Sequence, residues 1–150
     1  MTKAVPEGMH TVTPILTVKG CAEALEFWKK AFGAEELSRA KDPSGEKIWH
    51  ASFRLGDSTI YCSDEFPEMG SNARTANLWL YLDRMDAAFK RAVDAGCKVM
   101  MAPADMFWGD RFGKVIDPWG NEWGMAQHLK DLTPDEAKKA QDDFVAQTKK

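Results

Sequence analysis

Two residues of this 150-residue chain combine a proton-transferring side chain with a place on a predicted strand, and they are the first candidates for acid–base chemistry. His50 could act as a general base or bind an acidic ligand. Glu122 follows a predicted turn and could supply a carboxylate for proton transfer. The alternatives are a hydrogen-bonded strand histidine and a surface carboxylate, and the sequence leaves both interpretations open. It contains no Ser-His-Asp order, phosphate-binding loop or dinucleotide fingerprint.

The most distinctive stretch of the chain runs from Phe107 to Gly124 and holds three tryptophans and four glycines. Its second half is typical of a strand, an Asp-Pro-x-Gly-Asn turn and another strand. Trp108 is expected to make core or lid contacts, with stacking on a ligand as the alternative. Adjacent Asp110 and Arg111 predict either a charge pair that holds the Trp108 loop or an ordinary surface pair. Backbone turns are the expected reason for three of the glycines, Gly109, Gly113 and Gly120.

Composition excludes several classes of function. A net charge of -3 gives no reason to expect nucleic acid or an anionic membrane as a partner. No apolar run has the length of a transmembrane helix or a signal peptide. With 44% hydrophobic residues, we expect a single domain over residues 1–150 with a buried core. Unpaired, widely spaced cysteines predict reduced thiols in a cytoplasmic protein, namely Cys21, Cys62 and Cys97.

The order of predicted elements occurs twice, which indicates an internal duplication. In module one, about residues 10–65, a strand over Val12 to Val18 is followed by a helix and three strands. A linker of about residues 66–75 leads to module two, about residues 76–129, with the same order. A capping box at Thr133 begins a C-terminal helix over about residues 133–149. The predicted fold class is α+β, with two βαβββ modules plus this helix.

Four segments together resemble one superfamily: Thr13 to Val18, Ala24 to Glu35, Ser63-Asp64-Glu65 and Phe107 to Gly124. They are similar to the vicinal oxygen chelate superfamily of glyoxalase I, extradiol dioxygenases and the bleomycin and fosfomycin resistance proteins, and most of all to its PhnB-like branch. The resemblance implies that the modules form a glyoxalase-like open barrel around a cavity, usually in a homodimer. It does not imply one reaction, because lyases, oxygenases, transferases and binding proteins share this fold.

The resemblance also implies where a metal would lie. Metal-dependent members hold a divalent cation with His, Glu or Gln side chains from the first and fourth strand of each module. Carried over by register, these positions are Thr13, Tyr61, Asn77 and Gly124. None of the four is a good ligand for a divalent cation. We therefore expect that the usual metal site is absent, and we predict no cofactor.

Strand alternation separates the expected core from the expected cavity. Apolar residues such as Val12, Trp49 and Leu80 are predicted to pack under the helices. The opposite faces, together with Trp108, predict a polar and aromatic lining suited to a small organic molecule. The predicted lining residues are Thr13, His50, Arg54, Tyr61, Asn77, Trp79, Tyr81, Trp108 and Glu122.

The sequence thus favours a small-molecule-binding protein of the glyoxalase/bleomycin-resistance type, a homodimer without the usual metal, whose ligand the sequence does not identify. The alternative is a lyase, isomerase or dioxygenase that uses a displaced divalent metal or an acid–base set drawn from His50, Glu122 and His128. In a third possibility the sheets and the C-terminal helix serve mainly in assembly. Whether the chain is an enzyme stays open at this point.

Overall fold

The structure, a computed structural model, describes residues 2–149, so positions 1 and 150 of the predicted single domain lie outside it. The chain divides into two compact units. The first unit comprises the chain up to Ala76 together with Pro118–Asn121. The second comprises Asn77–Asp117 and the chain from Glu122 onward. Among the described residues, no helix is both long and apolar enough to cross a membrane.

The first unit contains one mixed sheet and one helix. Its elements in chain order are β1 (Ile15–Val18), α1 (Cys21–Phe32), β2 (Glu35–Lys41), β3 (Ile48–Leu55) and β4 (Ser58–Asp64). The strand order is β1-β4-β3-β2, with β1 parallel to β4 and the other pairs antiparallel. Helix α1 covers one face of this sheet because its apolar residues recur at helical spacing. Trp28 of α1 packs against Phe53 of β3 with ring centroids 5.2 Å apart.

The second unit repeats this arrangement. Its elements are β5 (Asn77–Tyr81), α2 (Met85–Ala95), β6 (Lys98–Asp105), β7 (Asp110–Ile116), β8 (Glu122–His128) and α3 (Pro134–Thr148). The strand order is β5-β8-β7-β6, with β5 parallel to β8. Two βαβββ modules with a C-terminal helix confirm the predicted α+β fold class, and neither sheet closes on itself. The predicted capping box is present, because Thr133 and Glu136 exchange hydrogen bonds of 3.2 Å.

Two apolar residues predicted to lie under the helices do not. The first strand begins at Ile15, and Val12 before it is 79% exposed. Trp49 is 47% exposed because β3 contains a bulge there: Ala40 pairs with His50, whereas the next residue of β2 pairs with Ile48. The extra residue breaks the alternation of side chains. Ile48 is therefore buried in place of Trp49, which packs against Phe66 at a centroid distance of 5.6 Å.

A buried carboxylate joins α1 to its sheet. Asp64 is 6% exposed, and its Oδ1 accepts hydrogen bonds from the backbone N–H groups of Gly20 (2.8 Å) and Cys21 (3.0 Å). Its Oδ2 accepts from the Ile48 N–H at 2.8 Å. In the second unit the Gln127 amide oxygen accepts from the Met85 N–H at 3.2 Å, at the matching place in the strand and helix. Both modules thus cap the first helical turn with the last strand.

Replacement of Asp64 by asparagine tests this link. In Asp64→Asn the side-chain amide would keep one acceptor oxygen, and its N–H₂ group would replace the other. That N–H₂ group would face a buried backbone N–H, which would lose its acceptor. We expect a loss of about 1–3 kcal/mol in the free energy of unfolding, measured by urea denaturation. Asp57→Asn, in the exposed turn before β4, is the matched control and should change it by less than about 0.5 kcal/mol. Equal effects of the two variants would contradict the structural role of Asp64.

Candidate functional site

One face of the sheet in the second unit carries a cluster of four aromatic side chains, here called the aromatic wall: Trp79, Tyr81, Trp108 and Phe112. Alternation along β5 places Trp79 and Tyr81 on the same face. Phe112 comes from β7 and Trp108 from the loop before it. Three of the predicted lining residues, Trp79, Tyr81 and Trp108, therefore lie together, and Phe112 joins them.

Trp79 is at the centre of the aromatic wall. Its ring stacks on Phe112 with a centroid distance of 4.4 Å and an interplanar angle of 14°. The Trp108 ring is 6.2 Å from both Trp79 and Phe112, and Tyr81 is 6.1 Å from Trp79. Such offset and tilted pairs are the arrangements that aromatic quadrupoles favour. The rings therefore form one continuous aromatic surface.

Small residues on the central strand make room for these rings. Strand β8 runs between β5 and β7, where Gly124 pairs with Trp79 and Ala126 pairs with Phe112. A Cβ atom at Gly124 would lie 3.0 Å from Cε1 of Phe112, closer than ordinary packing allows. The absence of a side chain at Gly124 thus makes room for the aromatic ring of Phe112. Gly113 serves packing on the other face, where a Cβ would lie 2.8 Å from Phe89 of α2.

A second buried carboxylate, Asp110, fixes the polar ends of the aromatic wall. Asp110 is 2% exposed. Its Oδ2 accepts hydrogen bonds from the indole N–H of Trp108 at 2.8 Å and from the hydroxyl of Tyr81 at 3.2 Å. Its Oδ1 lies 2.8 Å from Nδ1 of His128. Desolvation and the neighbouring Asp110 charge raise the pKa of Tyr81, which keeps the phenol protonated as a donor.

The predicted pair of Asp110 with Arg111 is wrong. Consecutive strand residues point to opposite faces, so Arg111 lies on the other side of β7. There it binds the carboxylates of Asp86 (2.9 Å) and Asp105 (3.0 Å). Strand alternation was the signal that could have separated the two residues. Asp110 and Phe112 are consequently the site residues that sequence reasoning missed.

His128 bridges two carboxylates. Its Nε2 lies 2.6 Å from Oδ1 of Asp131, and its Nδ1 faces Asp110. Hydrogen bonding to Asp131 and then to Asp110 raises the pKa of His128 above its ordinary value, because only the imidazolium can donate from both nitrogens. Asp131 is almost fully exposed, so water screens that pair, and Asp110 is the partner that fixes the ring.

The remaining predicted lining residues are divided between the two units. His50 and Tyr61 meet edge to face in the first unit, with centroids 4.6 Å apart. Arg54, further along β3, is exposed, and Thr13 is half-buried just before β1. In the second unit the carboxylate of Glu122 binds the Lys114 ammonium at 3.2 Å. Asn77 pairs with Glu122 across the strands and is exposed.

The four positions that the resemblance assigns to a metal do not fit one. Thr13, Tyr61 and Asn77 offer a hydroxyl, a phenol and a carboxamide, and Gly124 offers no side chain. Zinc, nickel, iron and manganese sites are built mainly from imidazole and carboxylate donors, so a single carboxamide among the four positions does not make a site. Within residues 2–149, no group of three or more His, Cys, Asp and Glu side chains could hold a metal ion. The absence of the usual metal site stays a prediction, which this donor chemistry favours.

Two of the three cysteines, Cys21 and Cys97, are not activated as nucleophiles. All three are buried. A hydrogen bond with Cys62 and burial raise the pKa of Cys21, and burial raises the pKa of Cys97 to about 12. Because only the thiolate is a strong nucleophile, Cys21 and Cys97 are unreactive at neutral pH.

Comparisons with known proteins agree with the fold and the motifs. The model of the Glyoxalase/Bleomycin resistance protein/Dioxygenase superfamily matches residues 8–125. The chain belongs to this superfamily, as the resemblance implies.

Bacterial relatives match most of the chain. An uncharacterized protein of Mycobacterium tuberculosis is 36% identical over 138 residues, which covers 86% of this chain and 81% of the relative. The protein YjdN of Escherichia coli is 32% identical over 136 residues, or 75% of this chain and 91% of YjdN.

Solved structures show the same fold. TioX from Micromonospora has a TM-score of 0.65 at 21% identity, covering 79% of this chain and 99% of TioX. A PhnB protein from Bacillus cereus, described as a putative 3-demethylubiquinone-9 3-methyltransferase, has a TM-score of 0.62 at 18% identity, with coverage of 79% and 99%. At these identities both likenesses show the fold alone.

The position of His128 between two carboxylates predicts how stability depends on pH. Because the pKa of His128 is raised in the folded state, its charged hydrogen bonds stabilise the fold fully below about pH 6.5. This stabilisation of the fold is lost as the pH rises through the pKa of His128 in the folded state. The difference in melting temperature between the wild type and His128→Gln should therefore be larger near about pH 5.5 than near about pH 8.5. His10→Gln, at an exposed histidine, is the control. A difference that widens toward high pH would contradict the arrangement.

Proposed function

We propose that this protein binds a small organic molecule with a planar ring on the aromatic wall, without the metal used by enzymes of its superfamily. One observation carries the proposal: three of the four rings of the wall are held in place and yet are open to solvent. Trp79 is 46% exposed, Tyr81 63% and Trp108 37%. Water in contact with this surface is released when a flat ligand stacks on it.

Preorganisation makes such stacking favourable. The stack on Phe112 restrains Trp79, and the hydrogen bonds to Asp110 restrain Tyr81 and Trp108. A ligand that meets fixed rings loses less binding free energy to the ordering of side chains. The exposed carboxylate of Asp131, at the polar end of the wall, supplies an acceptor that can orient the ligand. The site thus combines an apolar surface with a few polar groups, as small-molecule sites do.

The family relationship supports binding, and two of the three candidate acid–base residues, His50 and Glu122, give the enzyme alternative little support. Members of the superfamily bind small molecules, and its name includes the bleomycin resistance proteins. The carboxylate of Glu122 is engaged in an ion pair with Lys114. His50 contacts the edge of the Tyr61 ring, and no described carboxylate orients it. A catalytic base requires a group that fixes its tautomer and direction.

A thermal-shift screen of planar metabolites and antibiotics tests the proposal, because a ligand raises the melting temperature by mass action. For a compound that binds, we expect Trp79→Leu to weaken the affinity at least about tenfold, as measured by calorimetry. Trp49→Leu is the matched control, since Trp49 is 47% exposed and lies in the first unit. It should leave the affinity unchanged. Equal losses in both variants would contradict binding on the aromatic wall.

Metal analysis separates the two classes of function. We expect the purified protein to bind the compound equally well with a chelator present and with zinc, nickel, iron or manganese added. Stoichiometric, tightly bound metal that produces turnover would overturn the proposal in favour of a lyase, isomerase or dioxygenase.

We also propose that the protein acts as a homodimer in the cytoplasm. The outer strands β1 and β5 each pair on one side only within their sheets, and Ile15 of β1 is 64% exposed. Unpaired strand edges with apolar side chains favour association. Sedimentation equilibrium tests this part, because a monomer at micromolar concentration would contradict it.

A further inference from the structure

A groove in the first unit shares no residue with the aromatic wall. Its volume is about 350 Å³, which is within the range of small-molecule sites. The end of β1, the segment at the end of the predicted linker and the turn between β7 and β8 form its sides. The residues that matter for its chemistry are Thr17, Lys19, Arg74, Thr75, Pro118 and Trp119, and we call it the Trp119 groove.

Hydrogen bonds between its three segments hold the groove open. The Arg74 backbone N–H donates to the Thr17 carbonyl at 3.1 Å. The Trp119 indole N–H donates to the Lys19 carbonyl at 2.8 Å. The fully buried Asn121 side chain accepts from the Ala76 N–H at 2.8 Å. These bonds fix the backbone on each side, so the groove is formed before any ligand arrives.

The charged groups of the groove are both cationic. Lys19 and Arg74 line it, and no acidic residue does. The Lys19 ammonium is 3.8 Å from a Glu65 carboxylate oxygen, and its side chain is 80% exposed, so this pair is weak. No ion pair within residues 2–149 involves the Arg74 guanidinium. Arg74 therefore has its planar set of donors available for an anion.

An aromatic surface lies beside the two cations. The Trp119 ring is half-buried and packs edge-on against Phe27 at a centroid distance of 5.6 Å. Pro118 adds a second apolar surface. The turn holds this geometry because Gly120 has φ +87° and a Cβ there would lie 2.9 Å from Thr75. The groove thus presents an apolar side next to a cationic side.

We propose that the Trp119 groove binds a small organic anion that carries a ring, with its carboxylate or phosphate on Arg74 and Lys19 and its ring against Trp119 and Pro118. Guanidinium groups bind both kinds of anion through paired N–H donors. The volume of the groove excludes large ligands, and its two positive charges disfavour cationic ones. All of its lining residues belong to the first unit, and none of them belongs to the aromatic wall.

Titration calorimetry with naphthoate, naphthyl phosphate and the neutral naphthamide tests the site on the intact protein. We expect the two anions to bind and naphthamide to bind at least about tenfold more weakly, since the amide cannot pair with Arg74. The stronger of the two anions identifies the acidic group that the groove prefers. The matched variant pair is Arg74→Gln and Arg84→Gln, because Arg84 is an exposed arginine of the second unit.

Arg74→Gln should weaken the binding of the preferred anion at least about tenfold, while Arg84→Gln and Trp79→Leu should leave it unchanged. Dependence on Arg74 together with indifference to Trp79 separates this site from the aromatic wall. Equal affinity for naphthamide and the anions would overturn the proposal, and so would anion binding that survives Arg74→Gln. Lack of binding at millimolar concentration would overturn it as well, without bearing on the aromatic wall.

Discussion

The buried carboxylate of Asp110 is the constraint on which the candidate site depends. A charge that is almost fully excluded from water must be compensated by hydrogen bonds. Asp110 obtains them from β5, from the loop before β7 and from the end of β8, through Tyr81, Trp108 and His128. Each donor belongs to a side chain whose ring plane is thereby fixed. The electrostatic requirement of one carboxylate therefore sets the shape of an aromatic surface.

The two modules share a scaffold and differ where function is expected. Asp64 and Gln127 cap the first turn of α1 and α2 from corresponding strands. At the position that would ligate a metal, the first module has Tyr61 opposite Ile15, and the second has Gly124 opposite Trp79. The large ring is thus on the last strand in one module and on the first strand in the other. This exchange gives the two faces different surfaces on the same backbone.

Much of the fold could be predicted from local signals. Helix α1 spans Cys21–Phe32 because its apolar residues recur at helical spacing and Gly33, in a left-handed conformation at φ 74°, ends it. Alternation along β5 likewise places Trp79 and Tyr81 on one face. These features depend on neighbours in the sequence, so the sequence alone contains them.

Other features depend on contacts between distant segments. The bulge at Trp49 arises from the pairing of β3 with β2, so the alternation of apolar and polar residues along β3 does not predict it. The sequence predicts a backbone turn as the reason for Gly113, whereas the packed ring of Phe89 explains it. For Gly124 the sequence indicates only that a metal ligand is missing, whereas the packed ring of Phe112 explains why no side chain fits there. The sequence predicts a pair of Asp110 with Arg111, but the two side chains lie on opposite faces of β7. Strand pairing and packing between distant segments decide the cases of the bulge and the two glycines, whereas strand alternation decides the case of Asp110.

The most direct test of the central claim follows the indole N–H signals of the protein by heteronuclear NMR while a compound from the screen is added. The chain has six tryptophans, of which Trp28 and Trp123 are fully buried in the core. We expect the signals of Trp79 and Trp108 to shift and those of the two core residues to stay in place. Shifts confined to Trp49 or Trp119, with Trp79 and Trp108 unchanged at saturation, would contradict binding on the aromatic wall.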